Sequence, residues 1–123
     1  MTINDITGDV IDAAISIHRD IGGGLLESVY EQVLVAELAR RGHSVERQKE
    51  VSFTYNGMKF DNALRIDVLV DDAVILELKS TEKQNPVYAK QLKTYLALTG
   101  RKIGLVLNFG METMLKGIER VVL

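Results

Sequence analysis

Residues 64–79 read LRIDVLVDDAVILELK, two apolar runs joined at Asp71-Asp72, and this stretch decides the fold. Successive side chains of an extended strand alternate between its faces. Leu64, Ile66, Val68 and Val70 therefore take one face of the first run, and Arg65, Asp67 and Leu69 take the other. In residues 73–80, Ile75, Glu77 and Lys79 share a face, with Val74, Leu76 and Leu78 opposite. Glu77 and Lys79 stand roughly 7 Å apart along their strand. A short turn at Asp71-Asp72 pairs the two runs, which brings Asp67 and Glu77 together near the ends of adjacent strands. Two carboxylates and an ammonium then share a small, partly covered site. Charges so placed are costly to desolvate unless they pair or bind metal. The simplest structural explanation is an internal ion pair, Glu77–Lys79 or Asp67–Lys79.

Upstream, residues 45–55 (VERQKEVSFTY) read as another strand, joined to residues 58–70 (MKFDNALRIDVLV) by Asn56-Gly57, the strongest short signal for a two-residue hairpin turn. Earlier still, Ile3, Ile6, Val10, Ala13, Ala14 and Ile17 recur at helical spacing, acids lie on the outer side, and Gly22-Gly23-Gly24 ends the segment. A second helix follows from about Leu25 to Arg41, with Leu26, Val29, Tyr30, Val33, Leu34 and Leu38 as its stripe and Gly42 as C-terminal cap. The glycine triplet lacks the Lys-Ser/Thr of a phosphate loop and reads as a helix break. Downstream, Asn85-Pro86 opens a third helix that ends near Gly100. Its apolar face is Tyr88, Leu92, Tyr95 and Leu96, and Gln91 falls between them, on the face expected to pack against the sheet. Residues 102–110 (KIGLVLNFG) suit a strand covered on both faces, and 117–123 (GIERVVL) an edge strand.

The chain has 123 residues, 46% apolar and 26% charged, so one folded domain over residues 1–123 is expected. The absence of cysteine excludes disulfides, thiolate zinc sites and cysteine nucleophiles. No apolar run approaches a membrane span, and the acidic start MTINDITGDVIDAA lacks the order of a signal peptide, which points to a cytoplasmic protein without membrane association. Net charge is −2, yet its distribution is uneven. Residues 1–78 carry 7 basic against 14 acidic side chains, whereas 79–102 carry Lys79, Lys83, Lys90, Lys93, Arg101 and Lys102 against Glu82 alone. A basic region on an acidic body suits a protein that meets a polyanion at one place; the plainer reading is a solvated helix face. His18 and His43 have no partner ligand at a helical or turn spacing and are not read as metal ligands. Tyr30 and Tyr88 read as core residues whose hydroxyls reach a partner.

Glu27, at the start of the second helix, complements the helix dipole there or belongs to the site. Taken in order, Glu27, Asp67, Glu77-Leu78-Lys79 and Gln91-Leu92-Lys93-Thr94-Tyr95 resemble the motif series of the PD-(D/E)xK nuclease superfamily, the last segment resembling the QxxxY motif of its RecB-type branch. Gly24-Leu25-Leu26-Glu27-Ser28-Val29-Tyr30 is similar to the signature of the GxxExxY family in the same superfamily. The resemblance spans about residues 20–108, and Ile66 stands where the superfamily name has proline.

The resemblance implies an α/β, restriction-endonuclease-like core, a mixed sheet of about four to five strands flanked by helices. It also implies divalent-metal-dependent hydrolysis of phosphodiester bonds, most simply in DNA. Mg²⁺ or Mn²⁺ would be held by Asp67, Glu77, the Leu78 carbonyl and Glu27; such ions prefer a few carboxylate oxygens, and a bound metal lowers the pKa of water. Lys79 would position or deprotonate the attacking water and offset phosphate charge, while Gln91 and Tyr95 would orient the site or a phosphate. Two other readings stand beside this one: a catalytically silent module of the same fold that binds nucleic acid or a protein partner, and a purely structural polar network. A homodimer would pair two sites on one substrate, with its interface expected at the 117–123 strand or the first helix.

Overall fold

The computed structural model describes residues 1–123. Helix α1 (Ile3–Ile21) starts at a capping box: Thr2 Oγ1 accepts from the Asp5 amide and Asp5 Oδ2 accepts from the Thr2 amide. Helix α2 runs Glu27–Arg40. Leu25 and Leu26, expected in its first turn, lie in the preceding loop, with Leu26 74% exposed, because no neighbouring element covers them. Arg41 rather than Gly42 is its C-cap.

Strands β1 (Val45–Tyr55) and β2 (Met58–Val70) form a long antiparallel hairpin. Asn56 and Gly57 both take positive φ at its tip, as a tight hairpin turn with right-handed strand twist requires. Strand β3 (Val74–Lys79) pairs antiparallel with β2, across a turn in which Asp71 and Asp72 also take positive φ. Helix α3 (Pro86–Thr99) is capped by Asn85, whose side chain accepts from the Val87 amide, and stops at Gly100. It carries the chain across to β4 (Ile103–Asn108), parallel to β3. A short helix α4 (Met114–Gly117), which hydrophobic periodicity does not announce, leads into the edge strand β5 (Ile118–Val122). The sheet order is β1-β2-β3-β4-β5, a mixed five-stranded sheet flanked by helices.

Helices α1 and α2 cover one face. Val10, Ala13, Ala14, Tyr30, Leu34 and Leu38 pack there on Val68, Val70, Val74, Leu76, Leu78, Leu105 and Leu107. Helix α3 covers the other face, placing Leu92 and Leu96 on Ile66, Leu69, Ile75 and Val106. Every residue of β4 is buried, as a strand between two helical layers must be. Burial of side chains of this size contributes roughly 1.5–3 kcal/mol each, which makes these two layers the main support of the fold. Simple alternation holds in β3 but fails in β2: Ile66 and Leu69 share the α3 layer, although an even spacing would separate them. The break falls at Asp67.

Candidate functional site at the ends of β2 and β3

Strands β2 and β3 stay in register only from Val68 to Val70, opposite Leu76 to Val74. Beyond Val68 the ladder ends, and Asp67 substitutes for it by accepting the Leu78 amide on Oδ2 at 3.0 Å. Helix α2 reaches the same place from above. The Tyr30 hydroxyl donates to the Gly22 carbonyl at 2.7 Å and accepts the Leu25 amide at 3.1 Å. The ring stacks on Phe109, with centroids 4.5 Å apart. Gly24 takes φ +91° in that loop, and the Ser80 hydroxyl donates to the Leu25 carbonyl. The glycine and tyrosine of the 24–30 segment thus fold and staple the loop, and Glu27 is set over the end of β3. A cavity of about 160 Å³ results, lined by Glu27, Ser28, Glu31, Gln48, Asp67 and Leu78.

Glu77 follows Ile75 by two residues and pairs with Val106, both in the α3 layer, so it faces α3, next to this cavity but not in its wall. It is only 5% exposed, and its Oε1 has no hydrogen-bond partner. Burial, reinforced by the carboxylates of Asp67 and Glu27 and opposed by Lys79, pushes its carboxyl up to about 8. Burial also raises Asp67, against the lowering effect of the Leu78 amide, and Glu31 adds to the rise. Glu27 stands at the open rim, where partial burial and the charges of Asp67 and Glu31 raise its pKa despite Lys79. Lys79 is the cation common to all three, and its Nζ lies 4.9 Å from the centroid of the Tyr88 ring. Tyr88 is held in turn through its hydroxyl, 3.1 Å from that of Thr81. The buried Asn108 accepts the Thr81 amide on Oδ1 and donates through Nδ2 to the Thr81 hydroxyl and to Gln84 Oε1.

Asp67, Lys79 and Glu27 therefore all act electrostatically on Glu77, and neither of the two simple ion pairs of Lys79 forms. The four-member metal set is not assembled as expected: no three carboxylate or imidazole side chains form a metal-binding group. Alternation along β3 turns Glu77 away from the cavity wall that Glu27, Asp67 and Leu78 share, while Asp67 stands at the parting of the two strands, bonded to the Leu78 amide. The donor types still suit a hard cation, since carboxylates and a backbone carbonyl are the ligands such ions prefer, and a buried carboxylate oxygen lacking any partner is costly as it stands. Gln91 departs from expectation more plainly. It is exposed between Lys90 and Lys93, because the face that meets the sheet is centred on Leu92 and Leu96 and leaves Gln91 on its flank. Tyr95 packs against the α3 layer rather than beside the carboxylates.

Two residues at the site escape a reading by motif. Glu31, one turn after Glu27, is buried and accepts from Arg47 at 2.7 Å and from Gln48 Nε2 at 2.6 Å. The signal available was its i,i+4 spacing from Glu27, a like-charge pair that destabilises a free helix. Tyr88, read as a core residue, is also the shelf on which Lys79 rests. The histidines lie elsewhere: His18 Nε2 is 2.9 Å from the Met111 carbonyl, and His43 sits between Asp9 and Asp71, 2.6 Å from each.

No helix is long and apolar enough to cross a membrane. Neither a curated protein nor a solved structure matches the chain. A protein-family model described as the PD-(D/E)XK nuclease superfamily matches residues 4–121. That span takes in β1 to β4, β5 but for its last residue, and every carboxylate of the site, so the chain belongs to the PD-(D/E)XK nuclease superfamily.

Proposed function

We propose that the protein is a divalent-metal-dependent nuclease acting on phosphodiester bonds in DNA, with residues 1–123 as a single catalytic domain and the 24–30 segment marking the GxxExxY branch. The observation that carries this reading is Glu77, a buried carboxylate with a partnerless oxygen beside two other raised carboxylates. A buried acid in that condition costs stability, and a functional role accounts for its presence where packing does not. Asp67, Glu77, Glu27 and the Leu78 carbonyl would hold Mg²⁺ or Mn²⁺, which when bound supplies charge neutralisation and activates water for attack at phosphorus. Lys79 orients the attacking water and offsets charge developing on the phosphate, with its ammonium steadied by the Tyr88 ring. The Glu27 carboxylate closes the site from the helix side.

The DNA assignment rests on charge. Lysine ion pairs are confined to Lys49, Lys59 and Lys116, which leaves Lys83, Lys90, Lys93 and Lys102 exposed and uncompensated around α3. A backbone laid along that face reaches Lys79, and Gln91 contacts a phosphate from its exposed place between two lysines, with Tyr95 holding the helix to the sheet. A homodimer joined at the exposed edge of β5 would present two such faces to one duplex.

The experiment is cleavage of supercoiled, linear and single-stranded DNA with Mg²⁺ or Mn²⁺ by wild type, Asp67→Asn and Lys79→Ala, each checked for folding by circular dichroism. Metal-dependent cleavage lost in both folded variants is expected. The unassembled metal set favours a second reading, a silent module of the same fold that binds nucleic acid or protein. Wild type that binds DNA with neither cleavage nor any response to metal would decide for it.

A further inference from the structure

We propose that Glu31, clamped by Arg47 and Gln48, is a positioning residue that holds Asp67 in the site through a paired break in strands β1 and β2; the inference about catalysis rests on the nuclease reading, the inference about position does not. Arg47 pairs with Val68 and Lys49 with Ile66, so Gln48 stands opposite Asp67 at the step where β2 loses its alternation. Gln48 takes φ +49°, a left-handed conformation that a residue with a side chain rarely adopts. Adjacent strand residues ordinarily face opposite sides. Here both reach one carboxylate: Arg47 donates to Glu31 Oε2 through Nη2 at 2.7 Å and Nε at 3.2 Å, and Gln48 donates to Oε1 at 2.6 Å. The strained backbone permits this convergence, and Glu31 is what holds it. The other side of the break is Asp67, in the same cavity wall as Glu31 and Gln48, with its carboxylate turned to the Leu78 amide. Residues that orient ligating groups in this way typically alter metal affinity or activity 10–100-fold when removed.

The Leu78 amide reports directly on where Asp67 sits. Gln48→Gly tests positioning, since glycine relieves the left-handed strain while deleting the Gln48 arm of the clamp and leaving the Arg47 arm. We expect hydrogen exchange at the Leu78 amide to accelerate up to about tenfold, the scale of one lost hydrogen bond, in Gln48→Gly and in Glu31→Gln. The Leu76 and Leu105 amides should change little, which separates a local loss at Asp67 from general destabilisation. In the same variants Mn²⁺ affinity measured by calorimetry and kcat on DNA should fall while KM holds. Unchanged Leu78 exchange in Gln48→Gly would overturn the proposal and leave the Glu31 clamp a structural ion pair. A wild type that binds no Mn²⁺ would overturn the nuclease reading instead, and the amide would still decide the positioning claim.

Discussion

The molecule holds two clusters of acidic side chains, and they are built on opposite terms. Around His43, Asp9 and Asp71 each sit 2.6 Å from an imidazole nitrogen, and Arg41 binds Asp9, Asp12 and Glu37. Every acid there has a cation or an amide, as with Ser44 donating to Asp71. Around Glu77, three raised carboxylates share Lys79, and one buried oxygen has nothing. The first cluster ties α1 to the start of β1 and to the β2–β3 turn, which is work that saturated pairs do well. The second spends stability and ties little together. Acids that all have partners tie elements together in the first cluster, and a buried acid with an oxygen lacking any partner points to function in the second.

The comparison breaks most violently at Lys79 and Asp67. Lys79→Ala or Asp67→Asn should lower cleavage on the order of a thousandfold, the scale of a lost acid–base or charge-stabilising group, in steady-state assays on DNA. Next in size is His43→Ala. It strands Asp9 and Asp71, which are partly solvated, and should destabilise the chain by about 3 kcal/mol in urea unfolding with no change in the response to metal. Glu77→Gln should do the reverse. Removing a carboxyl raised to about 8 should stabilise the metal-free protein by about 2 kcal/mol at pH 7 while abolishing cleavage.

A pH series sharpens the contrast with a smaller signal. Burial lowers the His43 pKa, but the bonds to Asp71 and Asp9 outweigh it and raise the value overall. The imidazolium's contribution is thus full below about pH 6.5 and is lost as pH rises through the raised value. Asp9, drawn down chiefly by His43, keeps its part of that contribution until pH falls below the ordinary carboxylate range. Glu77, raised, makes the fold less stable as pH climbs from about 4.5 toward 8. Unfolding free energy should therefore decline from pH 5 to 8 in wild type, and Glu77→Gln should flatten the lower part of that decline. The smallest effect belongs to Lys90→Ala with Lys93→Ala, which should weaken DNA binding several-fold and reduce its logarithmic salt slope by about 2.

The strands of the site were legible in sequence because period-2 alternation and Asn56-Gly57 are strong local signals, and the bounds of β1 and β2 follow from them. Asp67, Glu77 and Lys79 were legible as charges where a strand should be apolar. Gln91 was not, since a helical face is an arc whose centre depends on what it packs against, and Leu92 and Leu96 set that centre one step away. The Gln48 kink was not legible either: glutamine carries no preference for positive φ, and the break arises from Glu31 and Asp67, residues distant in sequence. Leu25 and Leu26 show the same limit, apolar residues at helical spacing that the fold leaves outside the helix.

The most direct measurement is the melting temperature of wild type and Glu77→Gln, with and without Mn²⁺. Ligand binding to the folded state at a hundredfold excess over Kd contributes about 2.7 kcal/mol. The account predicts that Mn²⁺ raises the wild-type Tm by several degrees and leaves Glu77→Gln unmoved, while Glu77→Gln starts from the higher Tm without metal. An equal shift in both proteins, or none in wild type, would contradict it.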